Sequence, residues 1–144
     1  MGNKCVSLVL QSLGYDVCAL NTVQFSNHTG YRLARGPKIS AQDLLEIYDG
    51  LRQNFLNDFD VALTGYAPRL DVVKAIGTIV RDLKLSNATK PGAFFWFLDP
   101  VMGDDGALYV NKDVPSIYRN IMRDADMIMP NQFEVEYVNL LAQQ

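Results

Sequence analysis

Residues 93–99, AFFWFLD, carry six consecutive apolar side chains before an aspartate. Successive side chains of a strand point to opposite faces, so an unbroken apolar run predicts a strand buried on both, the condition of strands in a parallel sheet. The rest of the chain agrees with that condition. Residues 3–13 show Val6, Val9, Leu10 and Leu13 at helical spacing, closed by Gly14 as a C-cap. DVCALNTV, 16–23, reads as a largely buried strand. Residues 39–58 read as a helix with Ser40 as N-cap, Asp43 three positions on, and a stripe of Leu44, Leu45, Tyr48, Leu51 and Phe55. DVALTG, 60–65, is the next strand, and 69–85 an amphipathic helix with Pro68 at its start. SNATKPG, 86–92, is a loop. Beyond 99 come a short strand at 107–110, a helix at 114–125, a strand at 126–130 and a helix at 131–144. Strand–helix alternation of this kind predicts an α/β fold, a three-layer αβα arrangement with a mostly parallel sheet, within a single partial domain over 1–144.

Composition narrows the function classes. A net charge of −3 and a pI near 5.0 argue against a nucleic-acid surface. No apolar run approaches the ~20 residues of a membrane span, and no secretory signal is visible. MGNKCVS lacks the Ser or Thr at position six of a myristoylation signal, having Val6 there. Cys5 and Cys18 match neither a zinc site nor a redox pair and read as reduced thiols of a cytosolic protein.

In open parallel sheets ligands bind outside the carboxyl ends of the strands. Each predicted strand here ends in unusual chemistry: QFSNHTG, TGY, DPVMGDDG and PNQFEVE. Asp99, Asp104 and Asp105, set among Gly103 and Gly106, suit Mg²⁺ beside a phosphate chain. On spacing alone an ordinary Asp/Gly turn is the preferred reading, since such loops are common. Asn131 suits a helix N-cap and Glu134 suits the first turn, while the pair could also reach a metal's hydration shell. His28 is the sole histidine, a candidate base, donor or structural residue. Ser26 and Thr29 either serve a ligand or satisfy loop backbone groups. Phe25 and Tyr66 suit either a core or a flat heteroaromatic ligand.

Taken in order and spacing, NTVQFSNHTGY, LTGY, DPVMGDDGALYV and ADMIMPNQFEVE resemble the corresponding segments of pyridoxal kinase, a member of the ribokinase-like superfamily. The resemblance runs over essentially the whole chain. It implies ATP-dependent phosphorylation of the 5′-hydroxyl of pyridoxal, pyridoxine and pyridoxamine in pyridoxal 5′-phosphate salvage, with Mg²⁺ and often K⁺. It implies a substrate side of Val23, Phe25, His28, Thr29 and Tyr66. It implies a nucleotide and metal side of Asp99, Asp104, Asn131 and Glu134, with Asp99 and Asp104 at the metal directly or through water. It also implies a cytoplasmic location, nuclear as well in some settings, and a homodimeric habit.

The chain departs from the family's pattern in three ways. The family's opening strand, with its substrate-binding serine, precedes the point matched by Gly2-Asn3. The family's later half, with a GTGD segment whose aspartate is the general base, has no counterpart, since no G-x-G-D occurs in the 144 residues. Met129 stands where related enzymes commonly have Thr, and a thioether cannot donate that hydroxyl's hydrogen bond. The resemblance is therefore to a kinase truncated at both ends. No residue is assigned the catalytic base, and the isolated chain is expected to be inactive. The competing reading is a non-catalytic subunit or regulatory partner of a full-length kinase. A third, a kinase of another vitamin or sugar hydroxyl, is opposed by SNHTGY.

Overall fold

The computed structural model describes residues 2–89 and 92–142, with side chains to residue 139. The chain divides into two compact units, Met1–Ile39 and Ser40–Gln144.

The first unit opens with helix α1, Gly2–Ser12. Its end is a Schellman motif. Gly14 sits at φ +90, its amide donates to Gln11 O at 3.0 Å, and the Tyr15 amide donates to Leu10 O at 3.1 Å. The helix buries no side chain. Asn3 Nδ2 donates to Leu20 O at 2.8 Å and Asn21 Oδ1 at 3.0 Å, fastening the helix to the segment that follows. The strand expected at 16–23 does not form. Residues 15–21 carry no ladder and are mostly exposed, and β character is confined to a bridge between Val23 and Lys38. Alternating apolar residues make a strand only where a neighbouring backbone completes the hydrogen bonds, and no strand among the described residues pairs with 16–21. Two antiparallel arms follow instead, 22–27 and 33–39. Gln24 N donates to Pro37 O at 2.9 Å, Ser26 N to Arg35 O at 2.7 Å and Ile39 N to Thr22 O at 2.9 Å.

The second unit begins with α2, Ala41–Gln53, whose capping box is complete: Ser40 Oγ accepts from Asp43 N, and the Asp43 carboxylate accepts from Ser40 N. Phe55 lies outside this helix, at φ 59 and 89% exposed, so the expected stripe stops at Leu51. The helix ends at Asn54, whose own side chain bonds Gly50 O. Strand β1, Val61–Thr64, precedes α3, Leu70–Ser86, and β2, Phe95–Leu98. Strands β3, Gly103–Asp104, and β4, Ala107–Leu108, form a small hairpin. Helix α4, Val114–Ile121, runs through a 3₁₀ turn to β5, Met127–Ile128, and α5 spans Gln132–Ala142. The expected loop 86–92 includes residues 90 and 91, and the predicted last helix includes 143 and 144; these four lie outside the described residues.

β1, β2 and β5 make a parallel sheet in the order β1-β2-β5, with Leu63 opposite Phe97 and Phe97 opposite Met127. The apolar strand is therefore central, paired along both edges. One face of it is sealed: Trp96 and Leu98 are buried with Val72, Val73, Val80 and Leu83 of α3 and Val114, Tyr118 and Ile121 of α4. Gly77 permits the close approach of α3 to α4, since a Cβ there would meet Ile121 Cγ2 at 3.0 Å. The other face carries Val61, Leu63, Phe95 and Met127, all substantially exposed. The expectation of burial on both faces is corrected to burial on one. Alternation along β2, not the apolar run itself, decides which side chains are sealed.

A polar tie sets the β5 side of the sheet. The Asp126 carboxylate accepts from Trp96 N at 2.7 Å and from Lys84 Nζ at 2.9 Å. Burial opposes its ionisation, but these two donors outweigh that and hold its pKa below the usual carboxylate range.

Candidate functional site

The predicted site residues fall in both units. Val23, Phe25, His28 and Thr29 belong to the first, and Tyr66, Asp99, Asp104, Asn131 and Glu134 to the second.

In the first unit the polar cluster 24–30 closes the two-armed hairpin. Ser26 Oγ donates to Asn27 Oδ1 at 2.5 Å and accepts from Arg35 N at 3.2 Å. Asn27 Nδ2 donates to Leu33 O at 3.0 Å. His28 Nδ1 accepts from Gly30 N at 3.0 Å, which turns the ring back on its own loop. Ser26 and Asn27 therefore hold the hairpin, and the exposed His28 and Thr29 occupy its tip. Val23 and Phe25 are half-buried lower down, with Lys38 Nζ 5.9 Å from the Phe25 ring centroid. Gly36 makes the arms possible: a Cβ there would lie 1.8 Å from Gln24 O.

In the second unit the loop at the carboxyl end of β2 meets the first turn of α5, the helix that follows β5. Asp99 N donates to Thr64 O at 2.8 Å, continuing the β1–β2 ladder by one residue and fixing where the DPVMGD loop departs. The loop then meets the first turn of α5. Asn131 Oδ1 accepts from Glu134 N at 2.9 Å and Glu134 Oε2 accepts from Asn131 N at 2.9 Å, a reciprocal capping box. Glu134 Oε1 accepts from Met102 N at 2.8 Å, and Asn131 Nδ2 donates to Gly103 O at 2.8 Å. Asp105 and Gly106 form the two-residue turn between β3 and β4, both at positive φ, 48 and 78, a type I′ hairpin turn. Asp105 is thus a turn residue. Asp104 stands on the exposed edge beside it, with Oδ1 accepting from Asp105 N at 2.9 Å.

Asp99 is half-buried, and burial first, then the nearby Glu134 carboxylate, raises its pKa. Among the described residues no three His, Cys, Asp or Glu gather as a ligand set. Mg²⁺ commonly uses one or two carboxylates with water and substrate phosphates, and a cation beside Asp99 would offset the repulsion it feels from Glu134.

Two tyrosines that sequence reasoning did not single out share this region. Tyr118 of α4 is 2% exposed, and its phenol pKa is raised by burial and then by Asp99, Glu134 and Tyr66. The pKa of Tyr109, exposed just past β4, is raised by partial desolvation and then by Asp104, Asp105 and Glu134. Helical spacing marks Tyr118 only as core, so nothing in the sequence pointed its hydroxyl toward the carboxylates. Burial also raises the pKa of the Tyr66 phenol.

No family model matches the chain. The pyridoxal kinase of Ovis aries is 42% identical over 141 residues, 94% of this chain and 44% of that protein. Over nearly all of its own length the chain is similar to the pyridoxal kinases. It spans under half the length of the curated relatives it matches. The structure of pyridoxal kinase from Leishmania donovani in complex with ADP and pyridoxine matches it with a TM-score of 0.88 and 36% identity, over 94% of this chain and 47% of that one. That of Plasmodium falciparum PdxK with AMP-PNP and PL matches with a TM-score of 0.82 and 28% identity, over 94% and 48%. The chain therefore has the ribokinase-like α/β fold expected from its motifs, over less than half of its structural neighbours' length. No helix among the described residues is long and apolar enough to cross a membrane.

Proposed function

We propose that these residues carry two parts of an ATP-dependent kinase of the B6 vitamers, acting on the 5′-hydroxyl. The observation that carries this reading is the DPVMGD loop. It leaves the end of a parallel strand at the half-buried Asp99, is held to the first turn of α5 by hydrogen bonds with the Glu134 and Asn131 side chains, and carries Asp104 on an exposed hairpin edge. Similarity to kinase structures containing ADP with pyridoxine, and AMP-PNP with PL, supports the assignment of ligand class.

The residues would act as follows. Asp99 and Asp104 would hold Mg²⁺, directly or through water, and a bound Mg²⁺ would neutralise charge on the phosphates. Asn131 and Glu134 belong to that nucleotide side. In the first unit Val23 and Phe25 would offer apolar and aromatic surface, and His28 and Thr29 exposed polar groups, to a B6 vitamer; in the second unit Tyr66 would offer an aromatic face. Phosphoryl transfer depends on positioning and charge stabilisation, and one oxyanion-type donor alone contributes about 10²–10³ in rate. With no G-x-G-D among the 144 residues, neither an anion hole nor a base is supplied by that motif. The reading is that these residues bind ligands without turning them over. A pairing with a full-length kinase stays an alternative on the same ground.

The test is ATP-dependent phosphorylation of pyridoxal by the purified chain with Mg²⁺, run beside binding of Mg·ADP and of pyridoxal by calorimetry, with a His28→Ala/Asp99→Ala control. Binding without turnover, weakened in the control, is the expected result. Turnover that the control abolishes would overturn the inactivity argument. A folded chain that binds neither ligand would overturn the functional assignment.

A further inference from the structure

Resting on the substrate-side reading above, we propose that Lys38 is a specificity-determining residue: its ammonium takes the anionic 3-oxygen of a B6 vitamer whose ring lies on the face of Val23 and Phe25. All three residues belong to the first unit. Val23 and Lys38 are antiparallel bridge partners. The hydrogen bonds beside them, Gln24 N to Pro37 O and Ile39 N to Thr22 O, both 2.9 Å, are made by their chain neighbours. They are therefore a non-hydrogen-bonded pair, the kind in which facing side chains approach most closely. Phe25, two residues beyond Val23, returns to the same face, and burial agrees: Val23 and Phe25 are half-buried, Gln24 and Ser26 exposed. Lys38 Nζ lies 5.9 Å from the Phe25 ring centroid, within cation–π range. A flat ring stacked on Phe25 would share that face with the ammonium.

Charge decides which edge of such a ring the ammonium meets. Segment 22–39 holds Arg32, Arg35 and Lys38 and no Asp or Glu, in a chain whose net charge is −3. Among the described residues Lys38 joins no ion pair. Its charge is thus open to an anionic group from a ligand. A 3-hydroxypyridine in water passes its phenolic proton to the ring nitrogen, leaving a negative oxygen at one edge and a positive nitrogen at another. An ammonium attracts the first and repels the second, so Lys38 fixes which way round the ring sits and leaves the uncharged 5′-hydroxyl free.

The test compares pyridoxine with 3-O-methylpyridoxine, which cannot ionise at that oxygen. Pyridoxine has no aldehyde, so imine formation with lysine cannot contribute. Calorimetric affinity for both would be measured with the purified wild-type chain, Lys38→Met and Lys38→Arg. Methionine keeps an unbranched apolar stem beside Phe25 and removes the charge. Amide exchange at Gln24 and Ser26 reports whether the arms stay paired in each variant. Lys38→Met is expected to weaken pyridoxine about three- to tenfold, the size of a partly exposed charged hydrogen bond, and to leave 3-O-methylpyridoxine within about twofold. Lys38→Arg should retain most of the pyridoxine affinity. Equal losses for the two ligands, or no loss for either, would overturn the proposal and leave the vitamer reading standing. A loss that comes with faster exchange at the two amides would make Lys38 a structural residue of the hairpin, which also overturns it. A wild-type chain with both amides protected that binds neither ligand would overturn the vitamer reading itself, and the role of Lys38 with it.

Discussion

Gly103→Ala tests the junction between the DPVMGD loop and α5 most directly. The added Cβ would lie 2.3 Å from Ala107 O, 2.5 Å from Phe133 Cε1 and 3.0 Å from Leu108 Cα. The Phe133 ring can swing aside. The Ala107 carbonyl and the Leu108 Cα cannot, because they belong to the backbone paired across the hairpin. Relief therefore requires β3 to separate from β4 or the loop to leave α5. Overpacking of this kind costs about 1–3 kcal/mol. Loss of a hydrogen bond from Asn131 Nδ2 or to Glu134 would add about 1 kcal/mol. Against this, Gly→Ala restricts the unfolded chain and returns about 0.4–1 kcal/mol. The net expectation is a destabilisation of about 1–3.6 kcal/mol, which lowers Tm by about 2–14 °C for a chain of this size. Gly106→Ala is the comparison: its φ is +78, and no atom lies within 4 Å of the added Cβ. It meets conformational strain alone, about 1 kcal/mol. Urea unfolding followed by the single, fully buried Trp96 reads both variants. Stability of Gly103→Ala within about 0.5 kcal/mol of wild type, or a larger loss in Gly106→Ala, would refute the steric account.

Two further predictions concern regions away from that junction. Tyr48 donates to Asp82 at 2.6 Å, and burial first, then Asp82, raises its phenol pKa from 10.0 to about 12. Its contribution to stability is complete below pH 10 and is lost as pH rises through about 12; alkaline unfolding of Tyr48→Phe should lack that component, and an identical pH profile would contradict it. In the first unit, Gly36→Ala would drive a Cβ against Gln24 O, so amide exchange at Gln24 and Ser26 should accelerate while Leu10 and the rest of α1 are unaffected; unchanged protection at both amides would show that the arms do not need the close approach.

Much of the fold was legible because local signals agreed with the tertiary outcome. Ser40 and Asp43 marked the start of α2, Gly14 marked the end of α1, and β1, β2 and β5 emerged where apolar residues gathered between helices. The failures share a cause: the missing information lay in another segment. Residues 16–23 have the composition of a strand, but composition does not supply a pairing partner. Phe94 to Leu98 are uniformly apolar, so the run does not reveal that alternation along β2 leaves Trp96 and Leu98 on the sealed face and Phe95 exposed on the other. At the site, the N-cap role of Asn131 and the first-turn place of Glu134 followed from local rules. That Glu134 also holds Met102, 32 residues away, did not.

The hairpin turn at Asp105-Gly106 bears on how this chain tolerates changes in length. Exposed connections usually absorb insertions and deletions with little effect. A two-residue turn with both positions at positive φ fixes the register of the strands it joins, here Asp104 opposite Ala107. Adding one residue to β3 ahead of Asp104 would carry its side chain to the opposite face of the hairpin. Indels between Gly103 and Leu108 therefore change register rather than drift neutrally, and alignments that float a gap through this hairpin would move a carboxylate without substituting it.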